Sequence, residues 1–529
     1  MVVCVTFKIV FYRSNYLGNY EYFIPNPEYR NFKTKQEICE LIQPSHESLK
    51  VVTDWLDTFK LTYKADCDAI FVPRVTVEQV ETMFSTQIYT YLNEDTVDVW
   101  AIDRVFGAAS IPPQIMDQID FVEGLGEFPM PRERVKMRKN HTSYQDFAAP
   151  QSLASLYNYS VDHFEQGPNM TVQAPAEFQS DAAFSYDDLH KFWQGVGLAA
   201  NGVCKIIGPF DDSYADGEAT LDIQWLMATG FGATNWYYTT TGWMYSYAQQ
   251  INSMDDIPNV MTMSWGWSES QQCDQTDPQV CNHLGIDSAQ YVARVNTEFQ
   301  KFGVRGMSLF ASSGDSGANG RSDSGCSDDT FHATFPGASP WLTSVGATEI
   351  TPGSAKYGFK DVPICDSDHP TDGQFHCVVT AEERAVSIGT SSFTSGGGFS
   401  NVTAQPSYQK TAIAAYLKDH VQPPASMFNA SGRGYPDVAA LGNNMLILLN
   451  GEWQGAGGTS ASCPAWGGIM GRLINIALES DGKPLGFLNP LLYQLWAKDK
   501  STFNDVTAGD NFCTEDGCDG CKGFNATKG

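Results

Sequence analysis

The chain has 529 residues, of which 42% are hydrophobic and 47 are glycine, and its formal charge at pH 7 is −28. The length predicts a large core with an accessory domain, and the composition excludes a disordered chain. The acidic excess argues against nucleic acid as a partner, because phosphate binding needs positive charge, and the absence of any run of about 18 apolar residues argues against a membrane span.

The first 130 residues have the pattern of a small α/β unit. Residues 1–12 alternate like a strand and lack the features of a signal peptide, so we expect any signal to precede them. Two helical patterns follow over 37–42 and 46–59, and then two strand patterns over 69–72 and 86–91. The segment PMPRERVKMRKNHTSYQD (129–146) concentrates positive charge without an apolar period, which predicts an exposed linker open to proteolysis.

From about Pro150 onward, short apolar runs alternate with helical segments and glycine turns. Such runs occupy residues 260–263, 307–311, 342–345 and 445–449. Buried strands that alternate with helices predict a doubly wound, mainly parallel sheet. Functional residues of such sheets gather beyond the carboxyl ends of the strands.

The 13 cysteines predict disulfides and therefore an oxidising compartment. Several are close in sequence: Cys273 and Cys281, Cys365 and Cys377, and the group Cys513, Cys518 and Cys521. A zinc site is the alternative for the last group, although it lacks a clear fourth ligand. Six Asn-x-Ser/Thr acceptors agree with secretion.

The segment GGTSASCPAWGG (457–468) carries the strongest signal for chemistry. It precedes the apolar helix pattern of residues 470–478, so Ser460 would lie at a helix N-terminus. Free N–H groups there favour developing negative charge, which makes Ser460 a candidate nucleophile. The structural alternative is that Ser460 or Thr459 only caps the helix.

A second signal is DGEATLDIQWLMATG (216–230), in which Glu218 and Asp222 are four residues apart and share one helical face. Helical geometry puts both carboxylates on the apolar side, while Thr220 and Gln224 define a separate polar face. Neighbouring buried carboxylates suit a general base that works in acid, where a histidine would already be protonated. The alternative is a solvated acidic face.

A third signal is MSLFASSGDSGANG (307–320), an apolar strand that runs into a glycine turn and presents Asp315. This aspartate is either a turn residue or an acid that donates a hydrogen bond to an oxyanion. The string GDSGA also resembles a trypsin-like motif with Ser316 as nucleophile, but the Ala-Ala-His-Cys-like segment of those enzymes is absent. Asp315 and Asp323 lie too close together for the two lobes of an aspartic peptidase.

Taken together, these segments resemble the sedolisin family of serine-carboxyl peptidases, which includes the tripeptidyl peptidases. Three motifs match in order: Glu-Ala-Thr-Leu-Asp at 218–222, Ser-Gly-Asp-Ser-Gly around Asp315, and Gly-Thr-Ser-Ala-Ser at 458–462. Residues 335–348, 394–400 and 433–440 resemble connecting segments of the family, and residues 42–56 and 119–129 resemble its propeptide.

The resemblance implies a subtilisin-like catalytic domain at 150–529 behind a ferredoxin-like propeptide at 1–130, with an activation linker at 131–149. It implies that Ser460 attacks the carbonyl, Glu218 takes its proton, Asp222 orients Glu218 and Asp315 donates to the oxyanion. It further implies that Ser264, Trp265 and Gly266 align the substrate. The partners would be a peptide substrate and the chain's own propeptide as inhibitor, in a secreted or acidic vacuolar or lysosomal setting.

The family also binds one calcium ion through a C-terminal loop. The resemblance assigns the ligands to Asp505, Val506, Thr527 and Gly529, by carboxylate and backbone oxygens. Because the sequence ends at Gly529, before the family's Trp-Asp, we expect an incomplete calcium site in this chain.

The expected function is therefore an acid peptidase that releases tripeptides from free N-termini. A sedolisin-type endopeptidase and an inactive pseudo-peptidase without a complete calcium site are the alternatives.

Overall fold

The computed structural model describes residues 4–11, 29–92, 101–106, 109–126, 136–138, 147–161, 170–178, 183–199, 201–275, 286–350, 383–419 and 421–526. The helices are α1 Lys35–Ile42, α2 His46–Thr58, α3 Val77–Phe84, α4 Pro150–Leu156, α5 Tyr186–Gly195, α6 Gly217–Thr229, α7 Met244–Ser253, α8 Gln272–Gln275, α9 Ser288–Val304, α10 Lys410–Asp419, α11 Thr459–Asp481 and α12 Asn489–Lys498.

The strands of the first part of the chain are β1 Cys4–Phe11, β2 Lys64–Asp66, β3 Ala69–Thr76, β4 Gln87–Leu92, β5 Ala101–Phe106, β6 Ile119–Glu123 and β7 Lys136–Arg138. Those of the remainder are β8 Val172–Glu177, β9 Val203–Ile207, β10 Thr234–Thr239, β11 Val260–Met263, β12 Trp267–Ser268, β13 Ser308–Ser312, β14 Thr334–Phe335, β15 Thr343–Ile350, β16 Glu383–Ala385, β17 Gly398–Ala404, β18 Gly432–Tyr435, β19 Val438–Leu441, β20 Met445–Leu449 and β21 Glu452–Gly457.

The N-terminal unit is an antiparallel sheet in the order β2-β3-β1-β6, with α1 and α2 before β2 and α3 after β3. This order and helix placement are those of the ferredoxin-like fold, as expected. Helices α1 and α3 begin at capping boxes on Thr34 and Thr76, in which the N3 side chain bonds back to the cap. Buried residues including Val52, Leu56 and Ile70 form a separate small core.

The main sheet runs in the order β16-β15-β13-β11-β8-β10-β9, with β19 also paired to β15. Its pairings are parallel except for β15 with β16. The fully buried strands β11 and β13 match the continuous apolar runs of the sequence, because helices cover both faces of the sheet. The prediction of a doubly wound, mainly parallel sheet is confirmed.

Close packing of α11 on α6 brings two parts of the predicted site together. A Cβ atom built on Gly468 of α11 would lie 2.1 Å from Thr229 Oγ1 and 2.6 Å from the Leu226 carbonyl oxygen. Only glycine permits this approach, so the small residues after Ser460 serve to dock one helix on the other.

Within the segment 129–146, for which an exposed linker is predicted, residues 136–138 form a short strand. They form β7, which pairs antiparallel with β21 so that Lys136 faces Gly457 and Arg138 faces Gly455. Residues 136–138 therefore pass beside β21, the strand that leads to Ser460.

The disulfides include one local pair from the predicted C-terminal group and two that join cysteines farther apart. Cys513 pairs with Cys518, but Cys521 pairs with Cys326 across 195 residues, and Cys39 pairs with Cys67. The zinc alternative for the C-terminal group is therefore wrong, since all three of its sulfur atoms are in disulfides. Cys273 is also disulfide-bonded, while Cys281, Cys365 and Cys377 lie outside the described residues.

Within the described ranges, no helix combines the length and the apolar composition that a bilayer span requires.

Candidate active site

Helix α6 carries both predicted acids into the interior. Its N-cap residue Asp216 accepts hydrogen bonds from the backbone N–H groups of Glu218 and Ala219, at 2.9 and 3.3 Å. Glu218 is 1% exposed and Asp222 is fully buried. The predicted inward orientation is confirmed, and the alternative of a solvated acidic face is wrong.

The separate polar face predicted for α6 does not reach solvent. Thr220 and Gln224 are each only 1% exposed. The Gln224 side chain donates to the Leu448 carbonyl oxygen at 2.8 Å and accepts from the Leu448 N–H at 3.0 Å. This face is buried because the hairpin β20–β21 covers it, and the backbone of Leu448 satisfies the amide.

The N-cap of α11 is Gly458, Thr459 is the first residue of the helix and Ser460 is the second, so neither Ser460 nor Thr459 is the cap. Gly458 has φ 150°, and a Cβ atom there would lie 3.0 Å from Asp315 Oδ2. Pro464 lies inside the helix and has no N–H, so it cannot bond to the Ser460 carbonyl oxygen four residues earlier. That carbonyl is therefore open to another donor.

Ser264 connects Asp222 with the backbone of Ser460. It follows β11, and its hydroxyl lies 2.8 Å from Asp222 Oδ1 and 3.2 Å from the Ser460 carbonyl oxygen. The Ser460 hydroxyl lies 3.5 Å from the Ser264 carbonyl oxygen. Since a hydroxyl has one proton, the shorter bond to Asp222 takes it. The structure thus brings Asp222, Ser264 and Ser460 into one buried group.

Asp315 follows β13 and lies against the start of α11. Its Oδ1 accepts from the Thr459 N–H and the Thr459 hydroxyl, both at 2.8 Å. Burial raises the pKa of Asp315, and the two bonds from Thr459 and the nearby Arg321 charge oppose that rise. The other carboxyl oxygen, Oδ2, is the one that lies beside Gly458.

Glu177 is a site residue that the sequence reasoning missed. It ends β8, is fully buried, and its Oε2 accepts from the Trp265 indole N–H at 2.9 Å. Burial raises the pKa of Glu177 to about 8, and the nearby Asp216 charge adds to the rise. The signal that would have found it is an acidic residue at the carboxyl end of an apolar strand in a parallel sheet.

The three residues predicted to align the substrate differ in their surroundings. The side chain of Trp265 is 1% exposed, bonds to Glu177 and packs edge-on against Phe178, so it faces the interior. The Ser264 hydroxyl makes the contacts with Asp222 and Ser460 described above. Gly266 lines a narrow cleft that also contains Ser460 and Asp315.

The cleft has a free volume of about 20 Å³. Its remaining lining residues come from β12, from the end of β13 and the turn that follows it, from the start of β14 and from the start of α11: Trp267, Ser268, Ser312, Gly314, Ser316, Arg321, Thr334 and Thr459.

Of the predicted calcium ligands, Asp505 is exposed and Val506 half-buried, while Thr527 and Gly529 lie outside the described residues. In the described part of the chain, two clusters have metal-ligand types: Cys39, Asp66 and Cys67, and Asp323, Asp328 and His332. The first contains a disulfide, and in the second His332 and Asp328 bond to each other at 2.8 Å. Asp505 belongs to neither.

Comparison with known proteins places this arrangement in a family. The profile described as "Pro-kumamolisin, activation domain" matches residues 5–128. The chain is 38% identical to physarolisin of Physarum polycephalum, over 95% of this chain and 85% of that protein. The chain belongs to the sedolisin family of serine-carboxyl peptidases.

Two further similarities agree with this family. Mouse tripeptidyl-peptidase 1 is 30% identical over 94% of this chain and 84% of its own length. The structure of a Pseudomonas sedolisin, a serine-carboxyl proteinase complexed with pseudo-iodotyrostatin, matches the fold with a TM-score of 0.52 at 22% identity, over 74% of this chain and 94% of that one. This sedolisin-family chain is thus a serine-type peptidase with a subtilisin-like fold and an N-terminal activation domain.

Proposed function

We propose that the chain hydrolyses peptide bonds in acid with Ser460 as nucleophile. Glu218 takes the serine proton, and Asp222 holds Glu218 in position. The single observation that carries the proposal is the Ser264 hydroxyl, which bonds to Asp222 and lies beside Ser460. A nucleophile, a base and an orienting group in one water-poor site have the roles of a catalytic triad. Here carboxylates take the place of histidine.

Asp315 is the proposed oxyanion donor. Burial favours its neutral form by raising its pKa, and a carboxylic acid can donate a hydrogen bond only when protonated. With Thr459 occupying Oδ1, the proton would be carried by Oδ2, which faces Gly458. The oxyanion would then lie between this group and the N-terminus of α11, where the helix dipole adds stabilisation.

The assignment of the nucleophile is tested by two serine substitutions. Ser460→Ala is expected to abolish both self-processing and peptidase activity at pH 3–5. Ser316→Ala is the matched control, since Ser316 lines the same cleft and its hydroxyl donates to Glu515 at 3.1 Å. Normal processing in the Ser460→Ala protein together with its loss in the Ser316→Ala protein would show that the nucleophile is misassigned.

We propose that the enzyme is a tripeptidyl peptidase. The similarity to tripeptidyl-peptidase 1 over nearly the whole chain supports this assignment. The test uses one peptide with a free N-terminus and the same peptide N-acetylated, with products identified by mass spectrometry. Release of tripeptides from the free peptide alone is expected, whereas internal cleavage of both peptides would establish an endopeptidase.

We propose that residues 1–130 act as an inhibitory propeptide, that residues 131–149 form the linker cut on activation, and that residues 150–529 form the catalytic domain. Arg30 of the propeptide makes a bidentate ion pair with Asp481, with both N–O distances at 2.8 Å. The pairing of β7 with β21 supports a linker that occupies the approach to Ser460.

Acid is the proposed trigger for release of the propeptide. Lys301 of α9 is buried between Glu298, at 2.8 Å, and Asp68 of the propeptide, at 3.3 Å. A second ion pair across the interface joins Arg294 to Asp120 at 2.6 Å. Protonation of the propeptide carboxylates Asp68 and Asp120 removes the charge partners that these two cations have across the interface, and such a loss weakens an interface.

Calcium is proposed as a stabilising ion held by Asp505, Val506, Thr527 and Gly529. Asp510 and Asn525 form an antiparallel bridge and the Ala526 N–H donates to the Gly509 carbonyl oxygen, so the end of the described chain runs back towards Val506. Carboxylate and backbone oxygens are the ligands that calcium prefers. The melting temperature of the wild type is expected to rise when calcium is added, and that of an Asp505→Asn variant is expected not to respond. An unchanged calcium response in the variant would show that Asp505 is not a ligand.

We propose a secreted or acidic vacuolar or lysosomal location. The disulfides, of which one closes the propeptide and two fix the C-terminal segment, support an oxidising route of synthesis. Expression through a secretory pathway is expected to give active enzyme, and cytoplasmic expression under reducing conditions is expected to give little folded protein.

A further inference from the structure

The turn that carries Asp315, residues 314–320, has little rigidity of its own. Its glycines Gly314, Gly317 and Gly320 have φ between 56° and 102°, a region that glycine enters without steric cost. A carboxyl group that donates to an oxyanion must be held in place before the reaction, because reorganisation during the reaction would lower the rate. Contacts from other segments must therefore fix this turn.

The C-terminal loop, residues 508–525, packs against the turn. A Cβ atom on Gly317 would lie 2.1 Å from the Cys513 carbonyl oxygen and 2.5 Å from that of Asn511. The Ala318 N–H donates to the Asn511 carbonyl oxygen at 3.1 Å. The backbone of the loop is therefore in direct contact with the backbone of the turn.

Asn319 joins the turn to both sides of this loop. Its side chain is 2% exposed, and its Nδ2 donates to the Phe512 carbonyl oxygen at 3.0 Å and to the Lys522 carbonyl oxygen at 2.9 Å. The antiparallel bridge between Asp510 and Asn525 brings these two acceptors together. One amide nitrogen has two N–H groups, so it bonds to both acceptors only while the loop is closed.

Covalent cross-links keep the loop closed. The Cys513–Cys518 disulfide joins two residues within it, and the Cys326–Cys521 disulfide ties it to the segment that follows the Asp315 turn. The loop therefore gives the turn a fixed support, and Asn319 is the side chain through which the turn bonds to it.

We propose that Asn319 is a positioning residue for the reaction: through its two bonds to the C-terminal loop, it holds Asp315 where Oδ2 meets the developing oxyanion. This inference rests on the proposed function. Thr459 fixes the other carboxyl oxygen of Asp315, by two bonds of 2.8 Å. Asn319 does not line the cleft, so its effect passes through the turn and not through contact with substrate.

A displaced Asp315 should weaken the transition state and leave substrate binding intact, since the oxyanion forms only after Ser460 attacks. Asn319→Leu removes both donors and keeps a branched side chain of similar size. On acid-activated protein at pH 3–5, kcat should fall about 10- to 100-fold, because outright loss of one oxyanion donor costs about 10²–10³-fold. KM should stay within about 2-fold of the wild-type value.

A peptide aldehyde gives a second readout. The Ser460 oxygen adds to the aldehyde carbon, the serine proton passes to Glu218, and the carbonyl electron pair becomes an oxyanion that faces Asp315. The matching peptide alcohol occupies the same cleft without forming this bond. In the Asn319→Leu protein, the inhibition constant of the aldehyde should rise about 10-fold or more, and that of the alcohol should not change.

The matched control is Asn235→Leu. Asn235 is 1% exposed, and its Nδ2 donates to the carbonyl oxygens of Ala233 and Gly202 at 3.2 and 3.4 Å. These contacts lie at the amino ends of β9 and β10, whereas Asp315 follows the carboxyl end of a parallel strand. Both variants should lower the melting temperature, but Asn235→Leu should keep the wild-type kcat, KM and inhibition constants.

Three results would overturn the inference. In the first, Asn319→Leu lowers the melting temperature while kcat keeps its wild-type value. In the second, the inhibition constants of its aldehyde and alcohol rise equally. In the third, Asn235→Leu reproduces the loss of kcat.

Failure of the proposed function has a different signature. The wild type would then bind the aldehyde no more tightly than the alcohol, and Ser460→Ala would leave that ratio unchanged. Should Asn319→Leu fail to fold, Asn319→Ser keeps a single donor, which bonds to one of the two carbonyl oxygens at most. Its kcat should lie below that of the wild type at unchanged KM, and a wild-type kcat would contradict the assignment.

Discussion

We predict that Glu177→Gln flattens the pH dependence of the protein's stability. An exposed glutamate has a pKa near 4.5, whereas burial raises the pKa of Glu177 to about 8. A raised carboxyl pKa means that the folded state binds the proton more tightly than the unfolded state. The associated stability is fully present below about pH 4.5 and is lost as the pH rises through 8. Since one pH unit is worth about 1.36 kcal/mol, the loss reaches about 5 kcal/mol.

The free energy of unfolding should be measured by denaturant titration from pH 4 to pH 8, in a Ser460→Ala background that prevents self-digestion. The glutamine side chain can still accept the Trp265 indole N–H, so the fold is retained while the titrating proton is removed. At pH 8 the Glu177→Gln protein is expected to be more stable than its parent, and at pH 4 the two should be similar.

Glu269→Gln provides a matched comparison at a second buried carboxyl group. Burial raises the pKa of Glu269 to about 7, although hydrogen bonds from Ser400 and Asn401 oppose the rise. The stability that this group loses between pH 4.5 and 7 is about 3 kcal/mol. If the free energy of unfolding of the Glu177→Gln protein falls with pH as steeply as that of its parent, the assignment of a neutral, buried Glu177 is refuted.

Three further outcomes follow from contacts described above. Ser264→Ala should lower kcat about 10-fold or more, because Asp222 loses its 2.8 Å bond; an unchanged kcat would contradict the role of this contact. Gly468→Ala should destabilise the protein by about 1–3 kcal/mol in thermal unfolding, because its methyl group meets α6 at less than 3 Å, and a neutral effect would show that the helices separate freely. Asp68→Asn should raise the pH at which half of the propeptide dissociates, because Lys301 loses one of its two carboxylate partners. The dissociation is measured by gel filtration of the Ser460→Ala protein. An unchanged midpoint would show that this ion pair does not take part in the acid-triggered release.

The sequence by itself determined which segments carry the chemistry. Helical spacing alone placed Glu218 and Asp222 on one buried face, and the small-residue run before an apolar helix placed Ser460 at its N-terminus. Alternating apolar strands and helices determined the doubly wound sheet. These features depend on residues close together in the chain, because secondary-structure periodicity and helix termini are local properties.

Only the tertiary structure decided how those segments are joined. Glu177 meets Trp265 across 88 residues, Arg321 meets Glu515 across 194, and Ser264 stands between Asp222 and the start of α11. Gln224 became a buried residue because a hairpin more than 200 positions later covers it. Such contacts depend on which strand ends and loops the fold brings together. The spacing of residues along the sequence does not indicate which of these segments will meet.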